Sequence, residues 1–281
     1  SNYTYGVDED LSTDGIQAVT STGGLAHVTA IAGNTAGAVS ATVTGLSAED
    51  VNDNLTSGTS DLITITTSNA AAVATDLTDL VGKTGVNVDA TAISSNAISG
   101  SISEMKALVD AEGTATDDVN LHADFVGTVT GTLGATDLDE LLAVTAATGG
   151  VITATNGGST NGVASVTTAQ VVSGSGLDGF SGLSGTGSDV ISITLNAASF
   201  DGTDTEGTAA QITAVDDLTA GLVTLSSLET ITSDDIDTIH ALIVTQQNAS
   251  ALNFDSDYVV AGLTQSSGAL GASALSKLQA I

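Results

Sequence analysis

The residues best able to do chemistry are carboxylates gathered in short polar stretches. Asp8, Glu9, Asp10 and Asp14 share VDEDLSTDG, and Asp117 and Asp118 adjoin. Asp201, Asp204 and Glu206 fall in FDGTDTEG, Asp234, Asp235 and Asp237 cluster further on, and Asp255 and Asp257 lie in FDSDY. Hard divalent cations are held by several oxygens drawn from carboxylates and loop carbonyls. The candidate calcium ligands are therefore Asp8, Asp10, Asp117, Asp118, Asp201, Asp204, Glu206, Asp255 and Asp257. DGTDTEG is the most attractive stretch, because glycine lets carbonyls turn inward. It is not an EF-hand loop, and no GGxGxD array is present. The competing assignment is a solvated acidic face with helix-capping aspartates, and capping is the better reading for Asp234 and Asp235.

Other chemistry finds little support. His27, His122 and His240 stand apart in sequence, with no metal-ligand spacing and no nucleophile motif beside them. Arg is absent, so no guanidinium can clamp a carboxylate or phosphate. There is no G-x-S-x-G elbow, and no P-loop Lys follows the glycines of GSGLDGFSG. No catalytic residue is assigned, and the chain reads as a non-enzyme. A solenoid carbohydrate-active enzyme would need paired acids in an aromatic-lined groove, and Tyr and Phe are few here. Ice binding by ranks of outward Thr is a further alternative, but Asn87, His122 and Asp124 interrupt such a face.

Charge narrows the field. Lys83, Lys106 and Lys277 are the only basic side chains against 33 carboxylates, for a net charge of −30. That excludes nucleic-acid binding and docking on an anionic membrane. Such a surface repels itself until cations screen it, so a calcium-rich or saline exterior suits it. Cysteine is absent, which removes disulfides and thiolate chemistry. No stretch is long and apolar enough for a membrane span. The start, SNYTYGVDED, does not read as a signal peptide, as expected for a mature form or a fragment.

The elements that must position these residues recur. Alternating strands are expected at 62–67, 86–91, 119–125, 151–155, 190–195, 222–225 and 252–255. Ile63 and Ile65, Val86 and Val88, Val119 and Leu121, and Ile191 and Ile193 define the buried faces. Helices are expected over 47–55, 68–81, 101–111, 135–147, 208–218 and 233–244. Three carry caps: Ser47 with Asp50, Thr136 with Asp139, and Thr208 with Gln211. In 135–147 the expected buried stripe is Leu138, Leu141, Leu142 and Thr145. Short glycine-containing strands precede several helices, at 43–46, 98–102 and 129–133. HVTAIA at 27–32 reads as a strand.

The unit is thus short strand, capped helix, alternating strand, recurring at roughly 30–32 residues, a repeat-array period. Such a connection within one sheet is parallel and right-handed. The expected fold is a β-rich α/β solenoid of parallel strands with short helices on one side. Residues 1–40 form an N-terminal segment, 41–160 carry solenoid repeats, and 161–281 continue them after a Gly/Ser-rich irregular turn.

VTGTLGATDLDELLAVTAATGGVITAT and GTAAQITAVDDLTAGLVTLSSLETI resemble repeats of giant calcium-dependent surface proteins. These are the S-layers and large adhesins of Gram-negative bacteria, notably cyanobacteria, secreted by type I systems. The likeness spans roughly residues 40–280 and rests on composition and on the Gly–cap–helix–strand cadence. The resemblance implies a structural role at the cell surface, outside the cell, with calcium as cofactor and copies of the chain itself as partners. Cell-surface polysaccharide is a further expected partner. The expected function is self-assembly into a layer or filament, with calcium bridging acidic faces. The apolar ending ALGASALSKLQAI suits end-to-end docking. The alternative is a passive stalk or adhesin segment of a larger surface protein.

Overall fold

The computed structural model describes residues 18–113, 118–133, 137–154, 162–166, 189–195, 206–217, 219–225, 229–232, 235–246, 252–254, 258–262, 275–277 and 279. The protein is α/β, with parallel-strand sheets and short helices. It divides into two compact units, Ser1–Thr128 with Ala147–Gly150, and Val129–Ala146 with Val151–Ile281.

The first unit opens with α1 (Thr22–Asn34), then β1 (Ser40–Leu46), α2 (Ala48–Asn54) and β2 (Leu62–Thr67). There follow β3 (Ala72–Val73), α3 (Ala74–Val81), β4 (Val88–Ala90), β5 (Ile98–Ser101), α4 (Ile102–Asp110) and β6 (Val119–Leu121). β7 (Gly127–Thr130) spans the chain positions where the units divide. β1, β2, β4 and β6 form one parallel sheet in that order. The register matches apolar with apolar: Ala41 with Ile63, Val43 with Ile65, Ile65 with Val88, and Val88 with Val119. These side chains are all buried, so each strand lays its alternate residues on the previous one's. β1–α2–β2 is a parallel strand–helix–strand unit within one sheet, as expected. From β3 onward the pattern differs. The strand before the helix and the strand after it enter separate ladders, β3 with β5 and β4 with β6.

The helices stack in chain order, α1 on α2, α2 on α3, and α3 on α4. Their starts follow the sequence. Ser47 caps α2, and Ser101 with Glu104 makes a reciprocal capping box on α4. Leu77 and Leu80 of α3 and Met105 and Leu108 of α4 are completely buried, at the i, i+3 spacing of one helix face. Two readings need correction. Residues 27–32 are helical, inside α1: Leu25 and Val28 are buried three apart and the Ser21 hydroxyl accepts the Gly24 N–H, so helical period and cap override the apparent alternation. The helix expected over 68–81 begins only at Ala74, because Ala72 and Val73 pair with Ile98 and Ser99 as strand.

The second unit contains β8 (Thr132–Leu133), α5 (Leu138–Ala146), β9 (Ile152–Ala154), β10 (Gly162–Val166), β11 (Val190–Ile191) and β12 (Ile193–Leu195). After these come β13 (Glu206–Thr208), α6 (Ala209–Asp216), β14 (Val223–Leu225), β15 (Thr230–Thr232) and α7 (Ile236–His240). A π-helical turn, Ala241–Gln246, extends α7, and β16 (Leu252–Phe254) and β17 (Val259–Ala261) follow. β16, β14, β12, β10 and β8 form a five-stranded parallel sheet, and β13, β15 and β17 a three-stranded one. β9 pairs with β11. In α5 Leu141, Val144 and Thr145 are buried and Leu142 is only half-buried, and the Leu138 side chain of the expected stripe lies outside what the structure describes. The Thr136 cap lies outside the described residues. Thr208 and Gln211 make the expected capping box on α6. Ile191, Ser192 and Ile193 are all buried, because the chain passes from β11 to β12 at Ser192 and the strict alternation stops there.

Candidate functional site: threonine locks between successive rungs

The chemistry that repeats in this protein joins one rung of strand to the next. Thr84, Thr148 and Thr219 each stand a few residues before a strand. The Thr84 hydroxyl donates to Ile63 O at 2.7 Å, with Asp61 O at 3.4 Å. The Thr148 hydroxyl donates to Phe125 O at 2.7 Å, with Ala123 O at 3.3 Å. The Thr219 hydroxyl donates to Ile191 O at 2.7 Å, with Asp189 O at 3.4 Å. The N–H that follows each threonine reinforces the link: Gly85 to Asp61 O at 2.7 Å, Gly149 to Ala123 O at 2.9 Å, and Ala220 to Asp189 O at 3.0 Å. Each hydroxyl also accepts the N–H two residues on, from Val86, Gly150 and Gly221. One side chain therefore holds its own turn and two carbonyls of the preceding rung.

Glycine makes the approach possible. A Cβ on Gly150 would sit 2.3 Å from Phe125 O, and one on Gly221 2.3 Å from Ile191 O. Gly85 meets Thr59 O at the same distance. No side chain fits that space without moving backbone. The strand register gives the period: Val43 pairs with Ile65 and Ile65 with Val88, 22 and 23 residues apart, while Val88 pairs with Val119 and Ile193 with Val223, 31 and 30 apart, so the period is shorter at the start than the expected 30–32 and matches it at these later pairs.

Buried aspartates add a second link. Asp61 is 7% exposed, and its carboxylate accepts Val39 N–H at 2.8 Å and Gly58 N–H at 3.2 Å. Asp189 is 4% exposed and accepts Ile152 N–H at 2.8 Å. Each opens a near-identical stretch, SDLITIT at 60–66 and SDVISIT at 188–194. A carboxylate that accepts a backbone N–H makes one of the stronger hydrogen bonds available. Neither the locks nor these buried aspartates emerged from the sequence reading. The visible signals were TGV at 84–86, TGGV at 148–151, TAGL at 219–222 and the repeated SD before an Ile-rich strand.

The expected calcium ligands are not brought together among the described residues, where no group of three or more His, Asp or Glu could hold a metal ion. Asp8, Asp10, Asp117, Asp201, Asp204, Asp255 and Asp257 lie outside the described residues. Asp118 directs its carboxylate to where a Gly113 Cβ would be, 2.3 Å away, and its carbonyl accepts Val88 N–H. Glu206 opens β13 opposite Thr230. Asp235 is a helix cap, as expected: its carboxylate accepts Asp237 N–H, Thr238 N–H and the Thr238 hydroxyl. The Thr238 hydroxyl bond, helped by the two N–H groups, holds its pKa below the usual aspartate value. The His122 imidazole accepts Asp124 N–H.

All three lysines are engaged. Lys83 donates to Asn52 O at 2.6 Å and Leu55 O at 2.7 Å, closing the C-terminus of α2. Lys106 pairs with Asp110 one helical turn away, and Lys277 with Asp237. Among the described residues no helix is long and apolar enough to cross a membrane.

No protein-family model, no curated protein and no solved structure matches this chain.

Proposed function

We propose that this chain is an extracellular structural protein whose solenoid rungs self-assemble into a cell-surface layer or filament, with calcium neutralising its acidic faces. The observation that carries the reading is the threonine lock, repeated with the same bond pattern at Thr84, Thr148 and Thr219. A stack whose rungs join by one repeated backbone device presents at its edges the groups that would accept another rung. The geometry supports rigidity and repetition, the properties a scaffold requires. The charge of −30, with every lysine occupied internally, leaves mobile cations to offset repulsion between copies. Calcium, cell-surface polysaccharide as a further partner and the extracellular setting belong to this proposal.

The test is to strip the purified chain with EGTA and image it by negative stain while calcium is titrated. Ordered sheets or filaments that form with calcium and dissolve on chelation are the expected result. A monodisperse monomer at every calcium level would remove self-assembly and leave the passive stalk in its place.

A further inference from the structure

Asp61 and Asp189 stand where two of the threonine locks land, and each also reaches the other way. Asp61 precedes β2. Ahead, its carbonyl accepts Gly85 N–H at 2.7 Å, with the Thr84 hydroxyl at 3.4 Å. Behind, its carboxylate accepts Val39 N–H at 2.8 Å, and the neighbouring Leu62 N–H donates to Val39 O at 2.8 Å. Asp189 precedes β11 and repeats the arrangement. Its carbonyl accepts Ala220 N–H at 3.0 Å, with the Thr219 hydroxyl at 3.4 Å, and its carboxylate accepts Ile152 N–H at 2.8 Å. SDLITIT and SDVISIT thus share one hydrogen-bond pattern as well as one strand pattern.

In the first unit the register sets three residues in line. Ser40 pairs with Leu62 and Ile65 with Val88, so Val39, Asp61 and Thr84 stand at one level ahead of β1, β2 and β4. Neighbouring strands lie about 4.8 Å apart, which puts Val39 and Thr84 roughly 10 Å from each other with Asp61 between them. What joins them is stiff. The Asp61 carbonyl and the Leu62 N–H belong to one planar peptide, so a tilt that frees the first moves the second. The carboxylate has no slack either. It is 7% exposed, with one oxygen on Val39 N–H and the other on Gly58 N–H at 3.2 Å, and a buried polar group that loses a partner finds no water to replace it. We propose that Asp61 and Asp189 are coupling residues that make three successive rungs open together: Val39, Asp61 and Thr84 in the first unit, and Ile152, Asp189 and Thr219 in the second. Loss of a lock hydroxyl then loosens a backbone N–H two rungs away. The coupling is internal to one chain and holds whether or not copies associate.

The test is native-state hydrogen exchange of the full chain, read amide by amide by NMR. Thr84→Val keeps the side-chain volume and removes the hydroxyl. Exchange at Val39 N–H should quicken roughly five- to tenfold, the worth of about one hydrogen bond. Thr219→Val should do the same at Ile152 N–H, and Thr84→Ser should restore wild-type exchange at Val39. Ile98→Val, at a fully buried position of β5 in the first unit, controls for general loss of stability and should leave Val39 unchanged. In an Asp61→Asn background an NH2 group replaces one carboxylate oxygen, and Thr84→Val should add nothing further at Val39. If Thr84→Val quickens only the amides bonded at its own turn, Ile63, Gly85 and Val86, the links are independent and the inference fails. It fails if Ile98→Val quickens Val39 as much as Thr84→Val does, because exchange then reports only unfolding of the whole unit. It fails also if the Thr84→Val effect survives in full beside Asp61→Asn, because Asp61 is then not the carrier.

Discussion

Thr148→Val removes one lock and almost nothing else. The side chain keeps its volume and its β-branch, and Thr148 is only 7% exposed, so no cavity opens and no new surface meets water. What disappears is the donation to Phe125 O at 2.7 Å and the acceptance of Gly150 N–H at 2.9 Å. Each backbone group left without its partner in a buried site costs about 1–3 kcal/mol. Two such groups give about 3 kcal/mol, allowing for partial relief by water at half-buried Gly150. At about 3 °C per kcal/mol for a domain of this size, the melting temperature should fall by roughly 10 °C. The assay is thermal and urea unfolding followed by circular dichroism, with hydrogen exchange at the Gly149 amide, whose bond to Ala123 O depends on the same turn. Thr148→Ser keeps the hydroxyl and should recover most of the loss. A valine variant within about 0.5 kcal/mol of wild type, or a serine variant equally damaged, would refute the lock as a stabilising device.

Gly221→Ala should destabilise by more than the roughly 1 kcal/mol of an ordinary glycine effect, because its Cβ meets Ile191 O at 2.3 Å; equilibrium urea unfolding measures this. Lys83→Met should cost about 1 kcal/mol by uncapping Asn52 O and Leu55 O, visible as faster amide exchange at the end of α2. The Asp235 pKa is lowered in the folded state, so its stabilisation is present above the ordinary aspartate value and fades as pH falls through the folded one. Asp235→Asn should therefore differ from wild type at neutral pH and converge with it in acid. Burial first, and the neighbouring charge of Asp217 second, raise the pKa of Asp216. That shift penalises folding above the folded pKa and vanishes below the ordinary value, so Asp216→Asn should add a few tenths of a kcal/mol at neutral pH and nothing in strong acid.

The ladder strands were legible where two requirements coincided. LITITT announces β2 because Ile63 and Ile65 must share a buried face and Thr favours strands. Ser47 and the Thr208–Gln211 pair announced helix starts because a cap needs a specific side chain at a fixed offset. α1 was missed because Val28, Ala30 and Ala32 alternate with polar or larger residues while Leu25 and Val28 also fit helical spacing; only the Ser21 cap separates the two readings. The locks were illegible for a different reason. Thr84 and Thr219 are ordinary turn residues until their partners 21 and 28 positions away are known, and no local pattern encodes that distance. Asp61 and Asp189 carried no mark of burial in the sequence, since a buried carboxylate becomes sensible only once Val39 and Ile152 supply their N–H groups. The metal clusters proposed from spacing alone had no such second requirement to anchor them.

The engagement of all three lysines bears on how this chain would meet a protease. Trypsin-like proteases cut after Lys or Arg and need the side chain in their pocket with the backbone around it extended. This chain offers three such positions in 281 residues. Lys83 is held by two carbonyls at the end of α2, Lys106 sits within α4 clasped to Asp110, and Lys277 is held by Asp237. A digestive enzyme of that specificity would meet three bonds it could cleave, each beside a lysine tied into local structure.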